Sequence, residues 1–295
     1  MSSRPFPLIA GVDRCMIKIL FDQAVLVEYG PMRMIIHAFE HGKPLVDLAQ
    51  EGAHNAIQVL EDIARFLPVI RQKAHQIKLG GSVPDVVRRM VEATQKMGEP
   101  DLTPLAAVAG AASDVVAEFI VRRGGTKIIV DNGGDIAIRL KEGEVANVGV
   151  KTEVDAKNPS YVVPIEAASR IGGIATSGLG GRSFTKGIAS AVTVFSESAS
   201  LADAAATVIG NSTNVDDPAI VRMQAEKIYP DTDLAGEWIT FRVGELSREK
   251  IEEALCHGLS KAELLWKNGL IDGALIALRG SIVFTDFLKP RLSAL

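Results

Sequence analysis

PLAAVAGAASDVVAEFIVRRGGTKIIVDNGGDIAIRL, residues 104–140, is the stretch that decides the fold. Its first part consists of small and apolar residues at helical spacing and stops at the pair Gly124-Gly125, which predicts a tightly packed helix. Its second part places Gly133 and Gly134 between two runs rich in β-branched residues, which predicts a strand, a tight turn and a second strand. The stretch therefore predicts a helix that packs on a sheet.

The segments on either side extend the same pattern. Short β-rich runs between Met16 and Phe39 indicate an antiparallel meander, and apolar residues three and four apart predict a helix between Pro44 and Gln72. After the hairpin, further β-rich runs alternate irregularly with helical stretches. Because several neighbouring strands are joined as hairpins, the sequence predicts an α+β fold with mixed or antiparallel sheets and packed helices.

The chain has 295 residues, 47% of them hydrophobic, which is enough for a sizeable core. One domain is expected for residues 1–228. Residues 229–295 are expected to form a helix and a hairpin that extend it. We expect this extension to pack on the same core, because an exposed apolar hairpin promotes aggregation.

The charge and the cysteine content exclude several classes of function. The formal net charge is −4, with acidic and basic residues scattered along the chain, so neither nucleic acid nor an anionic membrane is an expected partner. Two cysteines far apart indicate a reducing compartment. The apolar stretch before Asp13 is too short for a secretory signal, and the apolar window Leu102–Val121 contains Asp114, which indicates a buried helix. The sequence thus predicts a cytoplasmic protein.

Two segments that contain glycines are candidates for a ligand site. In DNGGDI, residues 131–136, the glycines permit positive φ and a close approach of a ligand to the main chain, although an ordinary hairpin turn explains them as well. In ATSGLGGRSFTKG, residues 175–187, backbone N–H groups and the cations Arg182 and Lys186 are available for a phosphate. The spacing fits neither a Walker loop nor a dinucleotide fingerprint, so a flexible surface loop is the alternative.

A third candidate is the pair Asp203 and Thr207 on a predicted helix. Residues four apart lie on one helix face. A carboxylate and a hydroxyl suit Mg²⁺ when phosphates and main-chain carbonyls complete the coordination. A solvated or capping arrangement is the alternative.

Asp114 and Glu118 are also one helical turn apart. We expect them to lie on a solvated helix face, with acid–base catalysis as the alternative. The five histidines are scattered, and no Ser/His/Asp or Cys/His arrangement can be assembled from the sequence.

Taken in order, PLAAVAGAASD, VDNGGDI, ATSG and SLADAAAT resemble the ApbE-like superfamily, whose best-known members are FAD:protein FMN transferases. They are more similar still to an uncharacterised family of ApbE-like proteins from bacteria and archaea. The resemblance runs from about Thr103 to Asn211 and implies the ApbE-like fold, with FAD and Mg²⁺ as cofactors. It implies that Mg²⁺ is held by Asp203, Thr207 and a main-chain carbonyl near Ala109. It implies a flavin nucleotide site at Gly133, Gly134, Asp135, Thr176, Ser177 and Gly178.

This sequence departs from the transferases at two places. It has Gly110 where their helix carries a lysine, and after Ser177 it lacks the histidine and the DPRTG-like motif that position substrate and metal. A charge partner for the pyrophosphate is therefore missing. Our hypothesis is that Arg182 or Lys186 replaces it.

Three functions are compatible with this pattern. The first is Mg²⁺-assisted attack on the FAD pyrophosphate, with transfer of FMN or hydrolysis. The second is a pocket adapted to another small molecule, either a nucleotide or a different heteroaromatic compound. The third is a flavin-binding or assembly protein without catalysis. The sequence leaves all three open, and a homo-oligomer as well.

Overall fold

The fold is given by a computed structural model that describes residues 15–153 and 156–294. The segment before Asp13, for which no secretory signal is expected, lies outside these residues. Both cysteines, Cys15 and Cys256, are free and exposed.

Helices and strands alternate irregularly along the described chain. The first half contains β1 (Met16–Ile19), β2 (Val25–Tyr29), β3 (Met32–Glu40), β4 (Lys43–Pro44), α1 (Val46–Arg65), α2 (Leu67–Ile70), α3 (Asp85–Lys96), α4 (Val108–Val121), β5 (Lys127–Asp131), β6 (Ile136–Leu140) and β7 (Val145–Val150). The second half contains β8 (Tyr161–Glu166), β9 (Gly173–Ser177), β10 (Ala191–Ser196), α5 (Ala199–Ser212), β11 (Ile220–Gln224), α6 (Ala225–Ile228), β12 (Trp238–Val243), α7 (Arg248–Lys267), β13 (Gly273–Leu278), β14 (Ser281–Phe284) and β15 (Ser293–Ala294).

The main sheet has ten strands in the order β1-β2-β3-β5-β6-β9-β10-β13-β14, with β4 paired to β3. A small sheet contains β7, β8 and β15, and β11 pairs with β12. Within the described ranges every strand pairing is antiparallel. The predicted α+β fold with an N-terminal meander is confirmed.

Alternation along the central strands produces a core on each face of the main sheet. On β10, Val192 and Val194 face α5 and α7, whereas Phe195 faces the small sheet. β13 alternates in the same way, and both strands are buried along their whole length because both of their faces are covered. A further apolar cluster packs α1, α3 and α4 on the N-terminal strands.

The C-terminal segment contributes to this sheet and to its core. β13 pairs with β10, and α7 packs in the same apolar cluster as α5. The described part of this segment, residues 229–294, thus shares one apolar cluster with the preceding residues, while a domain boundary at residue 228 stays a prediction.

The apolar helix of the deciding stretch lies in the core. Pro104–Val121 has the length and composition of a membrane span, the one such stretch in the part of the chain that the structure describes, and 56% of it is buried inside the protein. The stretch is not one continuous α-helix as its pattern predicts. A 3₁₀ turn, Pro104–Ala107, comes first, and Ala107 has a non-helical conformation that separates the turn from α4.

The expectation that Asp114 lies on a solvated helix face is wrong. Its side chain is 0% exposed, and its carboxylate accepts hydrogen bonds from the backbone amides of Ala199 at 3.1 Å and Ser200 at 2.9 Å. The guanidinium of Arg139 donates to the same carboxylate at 2.9 Å. Because the first amides of a helix have no partner within it, Asp114 caps α5 from the neighbouring helix. Its carboxylate thus links α4 to α5 and to β6.

Candidate functional site

The candidate site begins where α4 and α5 meet. Asp203 projects from α5, half-buried, and its carboxylate accepts a hydrogen bond from the amide of Gly110 at 3.0 Å. The interruption at Ala107 makes Val108 the first residue of α4, so the amide of Gly110 belongs to the first turn and has no partner within the helix. A carboxylate is favoured at this positive end of the helix dipole. The local break in the helix therefore gives Asp203 its position.

The packing around Gly110 leaves no space for a side chain at this position. A Cβ atom at this position would overlap the carbonyl oxygen of Ala199 and would lie 2.9 Å from the Cβ of Asp203. The two helices approach too closely for any larger residue. The lysine that the transferases carry here is therefore incompatible with this helix crossing.

The turn between β5 and β6 forms the second wall of the site. Asp131 accepts a hydrogen bond from the amide of Gly134 at 2.7 Å, and Gly133 and Gly134 have φ of +73° and +107°. Glycine adopts these angles at no steric cost. The turn therefore brings Asp135 to the same place as Asp203, and the two carboxylates interact electrostatically.

Two polar residues that the sequence did not single out hold this turn on α4. The hydroxyl of Ser113 lies within hydrogen-bond distance of the main-chain carbonyls of both Ala109 (3.0 Å) and Asp135 (2.8 Å). The buried side-chain amide of Asn132 donates to the carbonyl of Ala109 at 3.4 Å. Ser113 lies inside PLAAVAGAASD and Asn132 inside DNGGDI, so a polar residue within a motif of small residues was the available signal.

The charged forms of the two carboxylates are disfavoured in the free protein. Burial raises the pKa of Asp203 to about 7, against the hydrogen bonds from the amides of Gly110 and Ala109. Burial, and then the charges of Asp203 and Asp131, raise the pKa of Asp135 well above its ordinary value. Arg182 lowers both pKa values without cancelling the shift. The site therefore favours an additional positive charge.

Arg182 is the cation that the loop 178–187 brings to the site. Its guanidinium donates to the main-chain carbonyls of Asn132 and Pro31, each at 3.3 Å. It lies directly over Gly133, where a Cβ atom would overlap it. Within the described residues it has no carboxylate partner within 4.0 Å, so it is available to an anionic ligand.

Lys186, the other predicted cation of this loop, is placed differently. Its ammonium group is paired with the carboxylates of Asp101 and Glu237, the latter at 2.7 Å. Burial would lower its pKa, but hydrogen bonds to both acids raise it, so Lys186 stays charged and occupied. A direct contact between Lys186 and a phosphate stays a prediction, whereas the geometry favours Arg182 for that role.

The remaining predicted residues lie around this centre. Thr207 is half-buried on α5, one turn after Asp203, and its hydroxyl has no hydrogen-bond partner among the residues that the structure describes. Thr176 and Ser177 end β9, where the hydroxyl of Thr176 contacts that of Thr193 at 3.0 Å, and Gly178 follows, buried.

The residues around Asp203 could supply oxygen ligands to a hard cation. Two carboxylates, the hydroxyl of Thr207 and the carbonyl of Ala109 are of the type that Mg²⁺ prefers. Across residues 15–153 and 156–294, no group of three or more His, Cys, Asp or Glu side chains is arranged to bind a metal. A cation held here would therefore need hydroxyl, main-chain or ligand oxygens as well as the carboxylates.

Comparison with known proteins agrees with the motifs. The family model described as "AbpE bacteria" matches residues 17–284. A UPF0280 protein of Methanosarcina barkeri is 42% identical over 171 residues, which cover 56% of this chain and 65% of that protein. A UPF0280 protein of Methanopyrus kandleri is 39% identical over 148 residues, which cover 50% of this chain and 57% of that protein. The chain thus spans less than two thirds of the length of these two relatives.

A solved structure shows the same fold. The apo crystal structure of the flavinyl transferase ApbE of Pseudomonas stutzeri superposes with a TM-score of 0.51, covering 96% of this chain and 100% of that one. The two sequences are 14% identical. The ApbE-like fold implied by the four motifs is confirmed.

Proposed function

Because this chain belongs to the AbpE bacteria family, a UPF0280 branch with the ApbE-like fold, we propose that it binds a flavin or a related nucleotide together with a divalent cation. One observation carries the proposal. Two half-buried carboxylates, Asp135 and Asp203, lie together beside the unpaired guanidinium of Arg182. Such a site has room for one added cation on the carboxylates and for an anion on the guanidinium.

The donor set fits Mg²⁺. Asp203, Thr207 and the carbonyl of Ala109 would hold the ion, and Asp135 adds a second carboxylate within electrostatic reach. When bound, Mg²⁺ would offset the charge of phosphate oxygens and polarise them. The carbonyl of Ala109 has two lone pairs and contacts both Ser113 and Asn132, so it would release one of these contacts to hold the ion, and the 3.4 Å contact with Asn132 is the longer of the two.

The protein's own residues supply the anchor for the ligand. Arg182 would bind a phosphate oxygen, with the geometry of a forked donor. Gly133 and Gly134 carry no side chain, so a ligand can approach the main chain of the turn closely. Thr176 and Ser177, at the end of β9, would provide hydroxyl groups to the same nucleotide.

In this proposal the nucleotide is FAD and the bond attacked is its pyrophosphate, with FMN transferred or released. A specific observation favours a second candidate, binding without transfer or a pocket for a different small molecule. Because α4 lies so close to Ala199, a lysine side chain does not fit at position 110. The positive charge that the transferases place there is therefore missing from this site.

The experiment is a titration of the purified protein with FAD, with and without Mg²⁺, followed by analysis for FMN and AMP. We expect binding that strengthens with Mg²⁺ and that is lost in Asp203→Asn. The matched control is Asp216→Asn, an exposed aspartate on the loop that follows α5. Equal binding by both variants would contradict the site. FMN formation would support catalysis, and FAD bound but unchanged would support the non-catalytic candidate.

A further inference from the structure

The loop that carries Arg182 is connected at its other end to a second group of charges. Arg182 lies over Gly133, whereas Lys186, four residues later, contacts Asp101 and Glu237. The direct restraints on Arg182 are weak, since its side chain is exposed and its two hydrogen bonds are 3.3 Å long. The position of Arg182 therefore depends on how the loop is anchored.

Glu237 is the centre of this second group. Its carboxylate contacts the ammonium of Lys186 at 2.7 Å and that of Lys73 at 3.0 Å. Lys73 also donates to the main-chain carbonyl of Asp101 at 2.8 Å. Each of the two lysine side chains is about a quarter exposed, so these pairs are better shielded from solvent than ordinary surface pairs.

Glu237 ends a segment, Asp231–Glu237, that we term the strap. The strap contains no helix or strand, and its acidic residues attach it to other parts of the chain. At its first residue, Arg71 forms a two-pronged pair with Asp231 at 2.7 and 2.9 Å. In its middle, the hydroxyl of Thr103 donates to Asp233. The strap is thus held at three points by residues far from it in sequence.

The strap is connected to both helices that build the candidate site. It contacts the residue before the 3₁₀ turn that leads into α4, and through Lys186 it is connected to α5. Thr103 directly precedes the 3₁₀ turn that leads to Ala109. The amide of Lys186 donates to the side chain of Asn211 at 2.8 Å, and Asn211 lies one turn after Thr207 on the same face of α5. After the strap, the amide of Thr240 donates to the carbonyl of Thr185 at 2.8 Å.

We propose that the strap fixes the loop Gly178–Gly187 through the contact of Glu237 with Lys186, and thereby positions Arg182 over Gly133 for an anionic ligand. Glu237 is a positioning residue, because it touches neither Arg182 nor the two site carboxylates. The choice of an anionic ligand rests on the proposed function, whereas the fixing of the loop does not. The two cations of this loop thus have different partners. Lys186 binds the strap, and Arg182 faces the site.

The loop itself is tested by amide hydrogen exchange of the full chain without ligand. In Glu237→Gln we expect the amides between Gly178 and Gly187 to exchange about two- to fivefold faster, the range that corresponds to the loss of shielded ion pairs. The matched control is Glu252→Gln, which removes an exposed ion pair with Arg248 on α7 and should leave the loop unchanged. Unchanged exchange in Glu237→Gln would overturn the proposal.

The link to Arg182 is tested by a double-mutant cycle with FAD and Mg²⁺, and with inorganic pyrophosphate, as probes. We expect Glu237→Gln to weaken binding about threefold when Arg182 is present. It should have no further effect in an Arg182→Met background. Equal weakening in both backgrounds would show that the strap does not act through Arg182. If neither probe binds the unmodified protein, the proposed function is wrong, and loop exchange alone decides the role of the strap.

Discussion

The amide of Gly110 donates a hydrogen bond to the carboxylate of Asp203 at 3.0 Å, and this bond joins the first turn of α4 to α5 at their crossing. The same glycine is in contact with the backbone of Ala199, where a Cβ atom would overlap the carbonyl oxygen. One residue therefore sets both the distance between the helices and the position of the acidic side chain.

Substitution of Gly110 tests this relationship. Gly110→Ala should destabilise the fold by more than about 2 kcal/mol, because the helices must separate to admit a methyl group. The matched control is Gly210→Ala on α5, where the nearest atom to a new Cβ is 3.9 Å away and alanine favours the helix by roughly 0.5–1 kcal/mol. Urea denaturation measures both. Similar stability of the two variants would contradict the close crossing.

Asp114 should be among the residues on which the stability of the fold depends most. Asp114→Ala removes a buried carboxylate that accepts two amides of α5 and pairs with Arg139, which should cost about 3–5 kcal/mol. Asp286→Asn, at an exposed ion pair with Lys289, should change the free energy of unfolding by less than about 1 kcal/mol. A small effect of Asp114→Ala in urea denaturation would contradict its capping role.

Asp203→Asn should have opposite effects on the free protein and on its response to Mg²⁺. The substitution removes a charge that burial disfavours while keeping an acceptor for the amide of Gly110, so the melting temperature without metal should rise at neutral pH. Mg²⁺ should raise the melting temperature of the unmodified protein only. Scanning calorimetry with and without Mg²⁺ measures both effects, and a Mg²⁺ response retained in Asp203→Asn would contradict a cation at this residue.

Substitutions of two neighbouring glycines distinguish the effect of backbone strain on binding from the effect of displacing Arg182. Gly133→Ala and Gly134→Ala both place alanine at positive φ, which should cost roughly 1–3 kcal/mol each. Only at Gly133 does the new methyl group overlap the guanidinium of Arg182. We therefore expect Gly133→Ala to weaken the binding of FAD with Mg²⁺ more than Gly134→Ala does. Equal affinities in a titration would show that Arg182 does not contact the ligand.

The contacts of the strap should make the free energy of unfolding depend on pH in the acid range. A hydrogen bond from Lys186 lowers the pKa of Glu237 below its ordinary value of 4.5, so the folded state binds this proton less readily than the unfolded state. The resulting stability is present above about pH 4.5 and is lost as the pH falls through the folded pKa. Glu237→Gln should reduce this loss by at most about 1 kcal/mol, because the pair is partly solvated. Urea denaturation between about pH 3 and 7 measures the difference, with Glu252→Gln as control.

Much of the fold could be predicted from local pattern. Hairpin strands around Gly133 and Gly134, the meander between Met16 and Phe39, and the helix that carries Asp203 all follow from spacing and turn residues. The break at Ala107 could not be predicted, because alanine favours a continuous helix and no side-chain cap marks the start of α4 at Val108.

The site was only partly predictable for a related reason. Arg182 and Lys186 are equivalent in sequence, both cations in one glycine-rich loop. Their roles differ because Asp101 and Glu237, remote in sequence, neutralise Lys186 alone. The burial of Asp114 was missed for the same reason, since its partners lie on another helix and another strand.

The insertion of β13 between β10 and β14 has a consequence for how the protein is made. Until residues 273–278 have left the ribosome, the apolar strand Ala191–Ser196 has one unpaired edge. An unpaired apolar edge is a template for pairing with other chains. The nascent chain is therefore most prone to aggregate late in its synthesis, and a pause or truncation before Gly273 should be more harmful than one in the N-terminal meander.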